Sequence, residues 1–512
     1  MKNKTDNPQK KMFSKPLLQT GGFIVNEKQL SLDLKMVSYD LLGTLAHVLM
    51  LYKQKIISQQ QINSLLISLL AIQKEVDDKT YIIDPGKGAQ LSFEANIVQK
   101  AGNAGYTVHT GRSRNDQIMV TEMLYLREAV LTCFDLLYPV CSALFSLAEK
   151  HKETVMPGYT HMQPAKVTTF GQWALAYFNG IMRASKTMRY YYHEYNMNPL
   201  GACESYGTSW SLDRAYSGKL LGFPRVWEIP QDVIASRGLV QLGYLTGLRD
   251  IAIITSKLGE DLLLFTTFEY GMIHLGDQVA QRMHPITGSS VMAQKKNPDV
   301  LELIRSITPQ IIGFSSIVAN LLCGLPMGYN RDSREVKEYI DLGFSKTSEM
   351  LTTLQTVLAS LTVDKKRMEN LVINNYSLTT DLADYISQTS GIGYRLIYKI
   401  VGQVVDEAMS ENKLLTQITA ADIHKKASSL GVTLNFTDTQ LQQAINPHTV
   451  ITKRKHIGGS NINTMIHSLD HAEKELDELK HWIKKEKNTI NNAKRNIFLL
   501  TNTILKKNEN TF

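Results

Sequence analysis

Apolar residues recur at intervals of three and four along most of this chain, and few segments alternate apolar with polar residues. Three-and-four spacing places apolar side chains on one face of an α-helix. The pattern therefore predicts an all-α fold. The six longest such segments are Tyr39 to Ala71, Gln117 to Ala148, Thr168 to Tyr192, Leu242 to Leu275, Pro309 to Leu322 and Tyr339 to Leu361.

Segments rich in Gly, Pro and Asn separate these helices, as expected of loops. With 512 residues, 43% of them apolar, the chain is long enough for two or three domains. We expect an N-terminal helical domain at residues 1–112, a central long-helix bundle at 113–363 and a smaller C-terminal helical domain at 364–479. Residues 480–512 are expected to form a basic helical tail.

The tail carries most of the chain's charge. It holds eight Lys or Arg against Glu486 and Glu509, a net charge of +6 out of +8 for the whole chain. Such a segment suits an acidic partner, a membrane surface or a nucleic acid, but it is also typical of a solvated terminal helix, which we favour. Aromatic residues in the tail are sparse, so no nucleic-acid partner is expected.

Other features indicate a cytoplasmic location. The four cysteines have no metal-binding or redox spacing, which favours a reducing compartment. Met1 to Lys11 is polar and basic, unlike a signal peptide. The most membrane-like segment, Leu131 to Ala148, is interrupted by Asp135 and Pro139, so we expect a buried helix and no membrane partner. We expect no metal and no cofactor, because the chain has no glycine fingerprint or His/Cys cluster.

One loop carries residues suited to chemistry. Residues 288–298 read Gly-Ser-Ser-Val-Met-Ala-Gln-Lys-Lys-Asn-Pro and lead into a helix-like segment, Asp299 to Thr308. Unpaired N–H groups at a helix start, with Lys295 or Lys296, suit a carboxylate that gains charge during a reaction. Ser289 or Ser290 would then be the base. A polar loop with an ordinary helix cap is the alternative.

Two further segments favour a chemical role for this loop over an ordinary helix cap. Residues 109–117 read His-Thr-Gly-Arg-Ser-Arg-Asn-Asp-Gln, whose arginines and Asn115 offer donors for a carboxylate. Residues 156–163 read Met-Pro-Gly-Tyr-Thr-His-Met-Gln, a predicted turn before a helix. His161 in this turn has Thr160 and Gln163 nearby, so it could hold or move a proton. Alone, the first segment is typical of a solvated turn and the second of a structural histidine.

Together the three segments resemble the fumarase and aspartase superfamily, and within it most closely the argininosuccinate lyase family, over about Ser31 to Gly459. The resemblance implies a three-domain chain whose central bundle contributes to a twenty-helix core in a homotetramer, with active sites shared between subunits. It implies C–N cleavage of a small N-substituted aspartate, releasing fumarate and an amine, without a cofactor.

The resemblance also implies roles for individual residues. Ser289 would be the base, Lys295 would hold the charged carboxylate of the intermediate, and His161, oriented by Glu302, would assist proton delivery to the departing nitrogen. The substrate-binding residues would be Asp33, Ser113, Arg114, Asn115, Thr160, Arg237, Asn297, Tyr329, Arg334 and Lys337.

Several positions depart from the family pattern, mainly toward the amine end of the substrate. Gln29 replaces a serine, Arg334 replaces a glutamine, and residues 87–90, ending at Gln90, replace an acid pair and a histidine. We therefore keep three hypotheses: an argininosuccinate lyase of arginine biosynthesis, the same chemistry on a different N-substituted aspartate, and a non-catalytic homologue. Retention of Ser289 and His161 argues against the last.

Overall fold

The computed structural model describes residues 25–509, so Met1 to Lys11 lies outside the described residues. Helices dominate the described part of the chain. Its α-helices are α1 (Glu27–Lys53), α2 (Gln59–Asp77), α3 (Ala89–Ala101), α4 (Arg114–Lys150), α5 (Phe170–Tyr195), α6 (Arg214–Leu220), α7 (Pro230–Ala235), α8 (Leu239–Thr266), α9 (Asp299–Leu322), α10 (Val336–Ser360), α11 (Lys365–Ile373), α12 (Thr379–Ser390), α13 (Tyr394–Ser410), α14 (Ala420–Ser429), α15 (Asp438–Ala444), α16 (Pro447–Lys453) and α17 (Ile462–Glu509).

Short turns and strands complete the chain. Three 3₁₀ helices span Gly102–Thr107, Arg331–Arg334 and Leu415–Gln417. The strands pair two by two: β1 (Val155–Thr160) is antiparallel to β2 (Gln163–Thr169), β3 (Met197–Asn198) is parallel to β4 (Arg225–Val226), and β5 (Ile273–His274) is antiparallel to β6 (Thr362–Val363). The all-α prediction is confirmed, with these small sheets as local additions.

Helix α4 is the centre of the bundle. Its start is fixed by a capping box in which Ser113 and Asp116 satisfy each other's backbone N–H groups. The helix packs against α1, α5, α10 and α17. By length and composition α1 and α4 could cross a membrane, but 78% and 50% of their apolar windows are buried inside the chain. Such burial is what a core helix of a globular protein shows.

The apolar core has two parts. The larger cluster runs from Leu30 to Ile497 and joins the predicted N-terminal and central domains in one core. The smaller cluster contains residues 372–451 together with Val155 and Val167 from the β1–β2 hairpin. The hairpin therefore rests on the C-terminal helices, which lie within the segment predicted as the third domain.

Three local predictions were wrong. The segment Tyr39 to Ala71 is broken at residues 54–58, where Ser58 forms a capping box that starts α2. The helix predicted over Leu242 to Leu275 ends at Thr266, because β5 follows and pairs with β6. The predicted turn at 156–163 is a β-hairpin, since its two tip residues have positive φ and reverse the chain.

The predicted boundary between residues 479 and 480 falls inside one continuous helix, α17. This helix packs against α1, α2, α4, α5 and α6. Ile483, Ile490 and Ile497 from the supposed tail are buried in the main core. The prediction of a solvated tail was therefore wrong for one face: apolar side chains spaced every seven residues bury that face against the bundle.

Candidate active site

The predicted base loop lies on the surface just before α9. A bridge between Gly288 and Lys296 closes the loop, and Asn297 N donates to Thr287 O at 3.0 Å. Within it, Ser289 Oγ accepts hydrogen bonds from Val291 N at 3.2 Å and Met292 N at 2.9 Å. Two backbone donors aimed at one hydroxyl oxygen would stabilise its alkoxide. This geometry favours Ser289 over Ser290 as the base.

The two lysines of the loop have different surroundings. Lys296 Nζ donates to Leu275 O at 2.6 Å and pairs with Asp277 at 3.2 Å, so it braces the loop. Lys295 is exposed, and Asn297 lies beside the start of α9. The positive end of a 24-residue helix adds a partial positive charge there. Lys295, Asn297 and this helix end together suit a carboxylate.

The N-terminus of α4 presents the second predicted group. Ser113 is its N-cap residue, Arg114 is exposed, and Asn115 Nδ2 donates to Glu204 O at 3.1 Å. Asp116 holds this end in place: its carboxylate accepts from the backbone N–H groups of Ser113, Gly201 and Cys203 at 3.0–3.1 Å. Burial raises the pKa of Asp116 to about 6, although Arg112 and these donors oppose the shift.

Thr160 and His161 lie at the tip of the β1–β2 hairpin. Thr160 pairs with Gln163 in the strand register, while His161 and Met162 have φ values of 53° and 60°. Both Thr160 and His161 are exposed. No hydrogen bond between His161 and Glu302 occurs within residues 25–509, so the predicted orienting role of Glu302 stays a prediction.

A buried polar network occupies the region expected to face the amine end of the substrate. Lys337 Nζ pairs with Asp33 Oδ1 at 2.6 Å and with Glu122 Oε1 at 3.4 Å. Arg334 lies 3.5 Å from the other oxygen of Asp33. Glu122 Oε2 accepts from Gln241 Nε2 at 2.9 Å. The Asp33, Glu122 and Lys337 side chains are at most 6% exposed, so the charges neutralise one another away from water.

Arg237 and Tyr329 lie at one side of this network. Gln241 accepts a hydrogen bond from Gly238 N, which fixes Arg237 just before α8. The guanidinium of Arg237 stacks over the Tyr329 ring, 4.8 Å from its centroid. At 3% exposure, Arg237 has two buried nitrogens, Nε and Nη1, with no hydrogen-bond partner among residues 25–509. Buried donors of this kind normally have partners.

The structure brings the amine-end residues together, but among the described residues it shows no such contacts between the other predicted groups. Asp33, Arg334, Lys337, Arg237 and Tyr329 share one region, through the contacts described above. No hydrogen bond within residues 25–509 joins the base loop at 288–298 to the turn at 109–117 or to the hairpin at 156–163.

Sequence reasoning missed two members of the network. Glu122 and Gln241 lie on otherwise apolar faces of α4 and α8, and each is buried. Isolated polar residues in an apolar stripe are a usable signal, because burying them requires partners. Gln29 and Gln90, the departures at the amine end, also lie here: Gln29 is 2% exposed with Oε1 unpartnered among the described residues, and Gln90 lines a small gap beside Asp33 and Glu122.

Comparison with known proteins agrees with this architecture. The chain matches the lyase family model over residues 27–313 and the model for the argininosuccinate lyase C-terminal region over 376–452. EDDS lyase in complex with formate has a similar fold, with a TM-score of 0.85 at 23% identity over 97% of this chain and 98% of that one. A class II fumarase from Schistosoma mansoni gives a TM-score of 0.64 at 13% identity over 86% and 94%. The fold is thus that of the fumarase and aspartase superfamily of lyases.

Sequence similarity then narrows the class. Argininosuccinate lyase of Natranaerobius thermophilus is 32% identical over 462 residues, covering 88% of this chain and 93% of the relative. Argininosuccinate lyase of Bacillus cereus is 32% identical over 444 residues, covering 86% and 93%. The chain belongs to the argininosuccinate lyase family, and it is a carbon–nitrogen lyase.

Proposed function

We propose that this protein cleaves argininosuccinate to fumarate and arginine, as its relatives' name states, and that it acts in arginine biosynthesis. Family membership over most of the chain carries the proposal, and the geometry of Ser289 supports it. The Ser289 oxygen is held by two backbone N–H groups. A serine needs such stabilisation to act as a base.

The reaction is a β-elimination. Ser289 Oγ removes a proton from the β-carbon of the succinyl group, and the charge moves onto the adjacent carboxylate. Lys295, Asn297 and the start of α9 stabilise that carboxylate. The carbon–nitrogen bond then breaks, His161 assists proton delivery to the nitrogen, and fumarate and the amine leave. Ser113, Arg114, Asn115 and Thr160 bind the succinyl carboxylates.

We propose that a homotetramer assembles the complete site. Within residues 25–509 no hydrogen bond joins the base loop, the α4 start and the hairpin tip, so we expect neighbouring subunits to complete the site. Two exposed apolar side chains on α9, Leu303 and Ile317, lie fourteen residues apart on one face of the helix and support a helical interface there. Free cysteines, two of them buried, are compatible with the cytoplasm as the location.

A second candidate is the same elimination on a different N-substituted aspartate. The observation that favours it is Arg334, a cation placed 3.5 Å from Asp33 where the family pattern has a neutral glutamine. The succinyl-end residues are retained, so the base and the leaving step would be unchanged. Only the identity of the amine would differ.

Fumarate release from argininosuccinate, followed by ultraviolet absorbance, tests the proposal. We expect turnover by the full chain, and we expect Ser289→Ala to lower kcat by about a hundredfold or more, the usual contribution of a general base. Ser290→Ala is the matched control, because its hydroxyl is the neighbouring one. Equal losses in both variants would contradict the role of Ser289, and no turnover by the wild type would contradict the function.

A further inference from the structure

One face of α1 carries polar side chains although it is buried. Asp40, Thr44 and His47 lie on this face at intervals of four and three residues, and each is at most 5% exposed. Side chains at this spacing point to the same side of a helix. Most other buried residues of α1 are apolar, so these three polar groups need partners away from water. Their partners all lie in the turn at 109–117.

His47 contacts the backbone of this turn. Its Nε2 lies 3.0 Å from Thr110 O, and because a carbonyl oxygen only accepts, Nε2 carries the proton and donates. Burial, assisted by the Arg112 cation, lowers the pKa of His47 well below 6.5, so the ring is neutral and acts as a hydrogen-bond donor. The next residue, Gly111, has a φ of 65°, and the backbone turns there toward Ser113. His47 therefore holds the carbonyl at the bend of the turn.

Two further contacts hold the residues on either side of the proposed carboxylate-binding group. Arg112 Nη1 donates to Thr44 Oγ1 at 2.9 Å, and both side chains are buried. The two oxygens of Asp40 accept from Gln117 Nε2 at 2.8 and 3.0 Å, in the first turn of α4. The residues proposed to bind the succinyl carboxylates lie between these fixed points, and Arg114 among them is exposed. The conformation of this exposed segment thus depends on its buried neighbours.

We propose that His47 and Thr44 are positioning residues for the succinyl end of the site, because from α1 they hold the turn at 109–117 in the conformation that binds carboxylates. The inference rests on the proposed function and adds two residues that do not touch the substrate. Without these bonds the turn would populate other conformations, and affinity falls in proportion to the fraction of molecules in the binding conformation. The amine-end network contacts α1 at Asp33, about 21 Å from His47 along the helix, so the loss should be confined to the succinyl end.

Separate binding of the two products of the proposed reaction tests this. Fumarate probes the succinyl end and arginine the amine end, each by calorimetry on the full chain. In His47→Leu the Thr110 carbonyl loses its donor, and we expect fumarate to bind about tenfold more weakly, within the range for one buried hydrogen bond. Arginine affinity should change by less than about twofold, since the two ends are far apart. His47→Gln keeps a side-chain N–H donor and should bind fumarate within about threefold of the wild type.

Thr44→Val repeats the test at the second contact. Valine has a similar shape to threonine but cannot accept from Arg112 Nη1, so we expect fumarate to bind about fivefold more weakly. The matched control is Thr255→Val, at another buried position, where the hydroxyl donates to Ile251 O of its own helix, α8. This control should leave fumarate affinity within about twofold of the wild type. Thermal unfolding establishes that each variant is folded, and if His47→Leu is not, Thr44→Val decides alone.

Three results would overturn the inference. They are equal weakening of fumarate and arginine binding, which a purely structural role predicts, an unchanged fumarate affinity in His47→Leu and Thr44→Val, and a loss in His47→Gln as large as that in His47→Leu. Failure of the proposed function is distinguishable from these. In that case fumarate binding follows the expected pattern, but the wild type releases no fumarate from argininosuccinate.

Discussion

Removing the Lys337 ammonium should destabilise the folded chain more than any single surface charge change. In Lys337→Met, Glu122 keeps only the Gln241 amide, while Asp33 keeps Arg334 at 3.5 Å. Breaking a buried ion pair costs about 3–5 kcal/mol, because the remaining charge stays away from water. Since Arg334 still opposes Asp33, the uncompensated charge is mainly that of Glu122, and we expect about 3 kcal/mol, the lower end of that range.

Urea-induced unfolding measures this loss of unfolding free energy. All variants are compared at one protein concentration, because assembly adds to the apparent stability. The matched control is Lys346→Met, whose partner Glu349 is 55% exposed, and it should change the unfolding free energy by less than about 1 kcal/mol. Adding Glu122→Gln to Lys337→Met removes the stranded charge and should recover about 1 kcal/mol or more. A loss in Lys337→Met no larger than that in Lys346→Met would show that Glu122 is not left uncompensated. So would a double variant less stable than the summed losses of its two single variants predict.

Two further predictions concern pH and the terminal helix. Burial raises the pKa of Asp40 from 3.8 to about 6, so its stability contribution is greatest below pH 3.8 and is lost as pH rises through about 6. Relative to Asp40→Asn, the wild type should therefore lose up to about 3 kcal/mol of unfolding free energy between pH 3.8 and about 6. Urea titrations across this pH range measure the loss, and a pH-independent difference between the two proteins would contradict the prediction. Ile497→Ala should lower the free energy of unfolding by about 2–5 kcal/mol, because Ile497 is fully buried. Leu499→Ala is the control and should lower it by less than about 0.5 kcal/mol, because Leu499 is 52% exposed. Equal shifts of the two variants in thermal unfolding would support the solvated-tail interpretation instead.

Apolar periodicity predicted the helices well because it reports burial of one face, and α4 and α10 follow it closely. It failed where local backbone chemistry ends a helix without interrupting the apolar pattern. Ser58 caps α2 inside an apolar segment, and β5 continues the apolar segment after α8 as a paired strand. A turn was predicted at residues 156–163, but the two strands were not, because their register depends on positive φ at His161 and Met162, which such residues rarely adopt.

The basic tail shows a different limit of prediction from sequence. Its charge count predicted a solvated helix, yet net charge says nothing about how residues are distributed around a helix. The charged residues share α17 with isoleucines at seven-residue intervals, and those isoleucines are buried. The apolar face decided where the helix lies, because each buried isoleucine contributes roughly 1.5–3 kcal/mol while exposed lysines cost little.

The candidate site divides into a part that one chain completes and a part that it does not. Asp33, Glu122, Lys337 and Gln241 satisfy one another inside a single subunit, so their contacts can be read from one chain. Ser289, Arg114 and His161 come from three segments without mutual hydrogen bonds in residues 25–509. The sequence motifs predicted the chemistry of the second group, because those residue types at those spacings are distinctive. In the first group they predicted Asp33 and Lys337 but not Glu122 and Gln241, because the role of a buried polar residue depends on partners that the motifs do not contain.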